Sequence, residues 1–584
     1  MVELISPMSL ILVSWMLLFL VFSGMGFFVQ RWINQSTTSG ILWIDAFWLG
    51  WSLSLLILQL WHFVFPVNDI ILVIFMMVGF LSIGIHRHQL IPIIRRCKHY
   101  RLFFVIFAVL LLWLSNRAID MPVAYDTGFR DIQAVMWIDT YPIVPGLNNL
   151  FSSLAFNHSV YLYDALLDAS VWSGRAYHIA TGLLLATFLA SATWSAIQLY
   201  RHRDGHGLRW SWILMTLLIP YVLYDTITRG AITHFLTDTP VDLIGFLSVA
   251  FVLDFIQFYR VEDSPKEYSI VKIAILILTG FTLKQSFVVF GLCLGVMVLI
   301  VWVRRGGLQL GMRHFLRIVI PIIIFGLLIG VPWMVRGVIT SGYIAYPQSF
   351  GRFDVDWAES PELIQQRQEM LATNTRIRYG NSEEVLSSWD WVRPWLQEAI
   401  PNIFEFTLPI TLSVALLVIF GIGRFRYRNK KSELSIGLWI LIPMFIMIAV
   451  WFLSAPNIKY IKYILWINVG ILAVLSVLAW SEISWWWRIY GVFAIQAIAL
   501  LYVAYLILAT QSFPLPAGPD DGFYIRPMPP IKTVQIQNGA TINTPDSHIK
   551  QCWDIPLPCT PTARTRIYER VAGDLSQGFG LIPN

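Results

Sequence analysis

The stretch RRCKHYRLFFVIFAVLLLWLSNRAIDMPVAYDTGFRDIQAVMWID, residues 95–139, decides the fold. A basic cluster (Arg95, Arg96, Lys98 and Arg101) opens it, an apolar run from Leu102 to Asn116 follows, and an acidic segment from Asp120 to Asp139 closes it. Lys and Arg near the ends of membrane spans stay on the cytoplasmic side. The run therefore reads as a span leaving the cytoplasm, which puts Asp126-Thr127-Gly128 on the outer face.

The same logic extends along the chain. Arg201, Arg203 and Arg209 crowd another connection, Arg304, Arg305, Arg313 and Arg317 a third, and Arg424, Arg426, Arg428, Lys430 and Lys431 a fourth. These clusters fall in alternate loops. Only 13% of the 584 residues are charged, against about 25% in soluble proteins, and runs of about 20 apolar residues suffice to cross a bilayer. The expected fold is therefore an all-α integral membrane protein of about 14 spans, near 8–29, 40–65, 69–86, 102–116, 172–199, 208–224, 240–259, 269–282, 285–303, 315–334, 403–422, 434–453, 460–480 and 487–510. The net charge of +6 lies in short cytoplasmic loops and calls for no nucleic acid. The first run, Leu10 to Phe28, follows Glu3 rather than a basic segment and reads as a span, not a cleaved signal.

Residues 269–303 are short for two crossings, but the charges on either side require two. A tight hairpin with Lys284 at its outer tip is the expectation. Three outer segments are long: 117–171, 335–402 and the tail 511–584. In the first, Phe129, Ile132, Val135, Met136 and Trp137 predict an amphipathic helix on the membrane surface, with further short helices at Leu147 to Leu154 and Val160 to Leu167. Cys552 and Cys559 lie close together in an outer tail, which suggests a disulfide; Cys97 sits in a basic loop and Cys293 inside a span.

Zinc spacings, phosphate-cradling glycine loops and nucleophile elbows are absent from the sequence. The chemistry falls instead to outer-face charges. Asp126 suits a general base or a divalent-cation ligand, with helix capping as its structural alternative. Asp238 and Asp242 open a span behind Pro240 and bring a second pair of carboxylates, again with capping or dipole pairing as the alternative. The cations are Arg130, Lys284, Arg336, Lys459 and Lys462; they suit lipid phosphate, and snorkelling to headgroups accounts adequately for Lys462. Lys284 has no other obvious partner in its hairpin, and Lys284 and Arg336 are expected to approach one cavity with Asp126.

An outward span followed by a helix with a leading acid resembles the GT-C class of integral-membrane glycosyltransferases. Tyr125-Asp126-Thr127-Gly128-Phe129 is similar to the Asp-Glu-Gly-aromatic pattern of that class, although Thr127 stands where a second acid is common. Pro332-Trp333-Met334-Val335-Arg336, with Ser341-Gly342-Tyr343 and Tyr346-Pro347, is similar to a stretch frequent in related bacterial membrane proteins. More closely, Asp126-Thr127-Gly128, Val144-Pro145-Gly146-Leu147, Phe156-Asn157 and Cys552-Trp553-Asp554-Ile555-Pro556-Leu557-Pro558-Cys559-Thr560-Pro561 resemble a bacterial family of polytopic proteins with a GT-C-like core.

That resemblance implies three segments: extra N-terminal helices and a basic loop at 1–100, a GT-C-like core at 101–510, and an outer cap at 511–584. It implies an inverting glycosyltransferase in the bacterial inner membrane, with the tail outside. The donor would be a polyprenyl-phosphate-linked sugar and the acceptor a glycan or lipid. Asp126 and Asp242 would be catalytic, and Lys284, Arg336, Tyr346, Lys459 and Arg130 would bind substrate. A divalent ion (Mg or Mn) would sit on Asp126 and Asp238. The competing functions are a transporter or flippase for a lipid-linked saccharide, which needs charges deep in several spans, and a non-catalytic scaffold on the same fold. Few such deep charges are expected here.

Overall fold

The computed structural model describes residues 2–33, 42–87, 100–228, 230–258, 267–427, 438–480, 482–509, 528–562 and 566–582. Arg95, Arg96, Cys97 and Lys98 of the first basic cluster, and Arg428, Lys430 and Lys431 of the fourth, lie outside them.

Apolar helices dominate because the sequence offers long runs without a turn former. Ten of the described helices are long and apolar enough to cross a membrane, and Asp69–Ile85, Tyr268–Leu283 and Leu441–Ser454 are shorter apolar helices. The helix Trp485–Ala509 shows how one such element is placed. Ile489, Val492, Gln496, Ala499 and Val503 are buried at spacings of three and four, while Ile498, Leu501, Tyr505 and Leu508 are exposed on the other face. An apolar stripe left outside at helical spacing is what a bilayer rather than water requires.

The first three helices, Val2–Trp32, Leu42–Trp61 and Asp69–Ile85, share the core of the rest. Trp15 donates its indole N–H to Ile179 O at 3.0 Å, and the Lys272 ammonium meets Asp45 at 2.8 Å. Small residues make the first two close neighbours: a Cβ at Gly26 would stand 1.8 Å from Ala46 O. The hairpin expected at 269–303 is present as Glu267–Leu283 and Phe287–Arg304, with Lys284 in the turn.

The first long loop differs from its expectation in one respect. A short π-helical segment, Thr127–Asp131, leads into the helix Ile132–Thr140. This helix does not lie open on a surface. Its polar face is covered too, since Gln133 is 1% exposed and donates to Trp553 O and Ile555 O. The covering element is the C-terminal cap, two antiparallel hairpins: β1 (Ile531–Gln535) with β2 (Thr541–Pro545), and β3 (Ile567–Glu569) with β4 (Phe579–Leu581). Cys552 and Cys559 form the disulfide, and Asn543 N and Thr560 N tie that loop to β2. Among the described residues, Cys293 remains a thiol.

Motifs far apart in sequence meet here. Gly128 lies under the Trp553 indole, where a Cβ would stand 2.3 Å from the ring. Pro145 O accepts from Phe579 N at 3.1 Å. Asn157 exchanges bonds with Trp333, giving Nδ2–H to Trp333 O (2.6 Å) and taking the indole N–H on its own carbonyl (2.8 Å).

Candidate functional site at one end of the bundle

Asp126 stands at the head of the π-helical segment, but its side chain makes no capping bond. Its carboxylate is 3.7 Å from the Lys459 ammonium, and both side chains are partly open to solvent. One turn on, Arg130 is held by Asp131 at 2.7 Å, and Tyr161 donates to the same carboxylate at 2.6 Å. Burial drives the Asp131 carboxyl up to about 6, against the pull of Arg130. Thr127 Oγ1 lies 3.1 Å from His234 Nδ1.

The head of helix Asp238–Phe258 supplies the next pair. Asp238 is ion-paired with Lys284, whose ammonium also lies 4.6 Å from the Tyr460 ring centroid. Lys284 therefore does have a partner, and the expectation that it lacks one is corrected: the hairpin turn and the helix head are neighbours in space. Lys462 is 1% exposed, so it does not snorkel. It sits between Asp225 (2.5 Å) and Asp242 (3.5 Å), and Tyr221 donates to Asp242 at 2.5 Å. A lysine at a span entrance bends inward when two acids await it there. Asp225, Asp242 and Lys462 all stand near the ends of their helices, so the group is buried at the span ends.

These groups form one electrostatic neighbourhood. Asp238 is within Coulombic reach of Lys284, Lys459 and Lys462, and Asp131 of Arg130 and Asp126. His158 bridges the two sets: it faces Arg130, Lys284 and Asp238, and donates from Nδ1 to Leu283 O at 2.8 Å. Burial, then the cations Arg130 and Lys284, hold its pKa down at about 3, so it is neutral.

Arg336 is placed differently. It is 4% exposed and donates to His62 Nδ1 (2.6 Å) and Asn157 Oδ1 (3.2 Å), and it meets no carboxylate among the described residues. Burial first, then the Arg336 charge, keeps His62 neutral and able to accept; its Nε2 side faces Tyr141 O at 3.0 Å. Arg336 lines a cavity of about 30 Å³ with His62, Asn157, His158, Tyr161 and Thr340, room for one or two waters. Neither Asp126 nor Lys284 lines it, so the common cavity expected for the three is corrected to two adjacent regions joined through His158. Tyr346 is set apart as well. Its hydroxyl meets Arg367 and Glu359, and its carbonyl accepts from Gln285.

The donor set does not fit a resident divalent ion. Among the described residues no three His, Cys, Asp or Glu side chains gather in that way, and Asp126 and Asp238 each face an ammonium. Residues the sequence reading passed over are His62, Asp131, His158 and Asp225; Asn157 enters it only as part of a motif, without a role. Asp225, an acid near the end of an otherwise apolar span, carried its own signal. His62 and His158 carried none, because an isolated histidine beside a span does not announce what will pack on it.

The fold is thus that of a multi-pass membrane protein with a cluster of charged pairs at one end. The chain belongs to the family defined by a domain of unknown function, DUF8201, which matches residues 8–466 and so takes in the three N-terminal helices. Comparison with curated proteins and with solved structures finds no match.

Proposed function

We propose that the protein is an inverting membrane glycosyltransferase. It moves a sugar from a polyprenyl-phosphate-linked donor to a glycan or lipid acceptor on the outer face of a bacterial inner membrane. In this reading about fourteen helices cross the bilayer around a GT-C-like core, and the tail lies outside. One observation carries it: Asp126, Arg130, Asp238, Asp242, Lys284 and Lys459, scattered over more than half the chain, converge at one end of the bundle.

Asp126 has the exposure of a group that meets an incoming hydroxyl. It takes the acceptor proton while the acceptor oxygen bonds to the sugar's anomeric carbon and the bond from that carbon to the phosphate oxygen breaks. The lipid phosphate leaves with the bonding pair. Among the described residues Arg336 has no acid beside it, but it is buried on a cavity of about 30 Å³, so it acts on that charge through its field and not by contact; Lys284 and Arg130 are already neutralised. No step is routed through a metal ion.

The test is to incubate the purified full-length protein with a panel of polyprenyl-phosphate sugars and candidate acceptors. Transfer with inversion is expected for one donor, and absence of transfer across the panel overturns the reading. A second reading is supported by the Lys462–Asp225–Asp242 group buried at the span ends: buried ionisable clusters of spans also serve transport. Movement of a labelled lipid-linked saccharide across proteoliposomes, without transfer, would favour it.

A further inference from the structure

Away from the charged end, helices Leu408–Arg426, Lys462–Ala479 and Trp485–Ala509 leave a groove of about 360 Å³ between them. Its walls are apolar, with Ile419, Val477 and Ile495 as one residue from each helix. All three helices have the length and composition of membrane spans, so the groove opens toward hydrocarbon, where an acyl chain is the available filler.

The charged group that lines it is Arg488; Arg203 stands beside the same helix but does not line the groove. Arg488 lines the groove, stacks its guanidinium 3.8 Å from the Trp485 ring and gives Nη1 to Val477 O at 2.8 Å. Arg203 stacks 4.1 Å from the adjacent Trp486 and gives Nη1 to Tyr200 O at 3.0 Å. Neither meets a carboxylate among the described residues, and Glu482, in the same connection, pairs with neither. Each spends one nitrogen on a main-chain carbonyl and keeps its full charge uncompensated. Trp480 and Trp487 also line the groove, the aromatic setting of a headgroup level. The basic-loop pattern puts this end in the cytoplasmic leaflet, where the anionic lipids concentrate.

We propose that this groove is a binding site for an anionic phospholipid. One acyl chain lies between the three helices, and the phosphate is drawn to Arg488. The site is independent of the transfer chemistry at the other end. An arginine held by aromatic stacking suits phosphate better than a lysine, because the planar guanidinium stays oriented.

The test uses intact protein in a mild detergent, titrated with dioleoyl-phosphatidylglycerol or dioleoyl-phosphatidylcholine and read by native mass spectrometry. The wild-type protein is expected to retain one phosphatidylglycerol at about a tenfold lower concentration than phosphatidylcholine. Arg488→Gln should bring the two lipids level. Gly491 lines the groove and faces open space where a Cβ would project, so Gly491→Phe should enter the groove without displacing protein and abolish retention of both lipids. Equal retention in the wild type, a preference that survives Arg488→Gln, or retention untouched by Gly491→Phe would each overturn the site. A dimer that forms without lipid and is lost in Gly491→Phe would give the groove to a second copy of the chain instead. A thermal melt identifies a variant that has lost its fold, and Gly491→Phe, which keeps Arg488, then carries the test.

Discussion

The Lys459 ammonium stands 3.7 Å from the Asp126 carboxylate, with 41% and 36% of the two side chains exposed. At that exposure the pair contributes about 0–1 kcal/mol, and Asp126 makes no capping bond to lose. Both Asp126→Asn and Asp126→Ala should therefore leave the melting temperature close to that of the wild type. If Asp126 is the base, both should lower transfer by about 10²–10⁴-fold. Full transfer in a well-expressed Asp126→Asn variant would move the role to Asp242, which is buried against Lys462 and Tyr221.

The Lys284–Asp238 pair calls for the opposite outcome. Both side chains are mostly buried, and removing one partner of such a pair costs about 3–5 kcal/mol, because the other charge is stranded. Lys284→Met should destabilise strongly, and adding Asp238→Asn should recover most of the loss. A double-substitution cycle on thermal or denaturant unfolding reads the coupling. Independent, additive costs would mean that the ion pair does not anchor the hairpin turn.

What the sequence disclosed depends on the range of the interaction involved. The apolar runs, the 269–303 hairpin and the Cys552–Cys559 link were legible, since each rests on local composition or spacing. Charge alternation also picked out Asp126, Asp238, Asp242, Lys284, Arg336 and Lys459 as a set. Pairings were not legible. Lys462 looked like a snorkelling lysine because its partner Asp225 is 237 residues away. Arg336 was expected beside Lys284, yet its neighbours come from the Asn157 turn and from His62, beyond the second helix. The burial of Gln133 was hidden for the same reason, because the cap that covers it is contributed more than 400 residues later.

The close fit of Gly128 under Trp553 gives a prediction about the cap. A methyl group at 128 would meet the indole at 2.3 Å, so something must shift, and overpacking of this kind costs about 1–3 kcal/mol. Gly128→Ala should loosen the cap, seen as faster proteolysis within 528–582, while Trp553→Ala in the same chain should restore resistance in part. Unchanged proteolysis in Gly128→Ala would mean that the indole moves aside freely and that the glycine is not there for the cap.

The buried histidines set the pH response. His158 titrates at about 3 in the folded protein, against about 6.5 when exposed. Between those values the unfolded chain binds more protons, so stability rises with pH. The contribution of His158 is complete above about pH 6.5 and is lost as pH falls toward 3. From pH 7 to pH 5 the loss is about 2 kcal/mol at about 1.36 kcal/mol per unit. His62, also held low by burial and Arg336, acts in the same direction. Asp131 acts in the other: with its carboxyl raised to about 6, its contribution is present at low pH and is lost as pH rises through 6. His158→Asn keeps a donor for Leu283 O and removes the titration. The variant should lose less stability than the wild type between pH 7 and pH 5, by about 2 kcal/mol, while Asp131→Asn should lose more, by about 1 kcal/mol. Unfolding midpoints at the two pH values decide between them. Identical pH 5 to pH 7 differences in the wild type and His158→Asn would mean that His158 is already charged, or already exposed, in the folded protein.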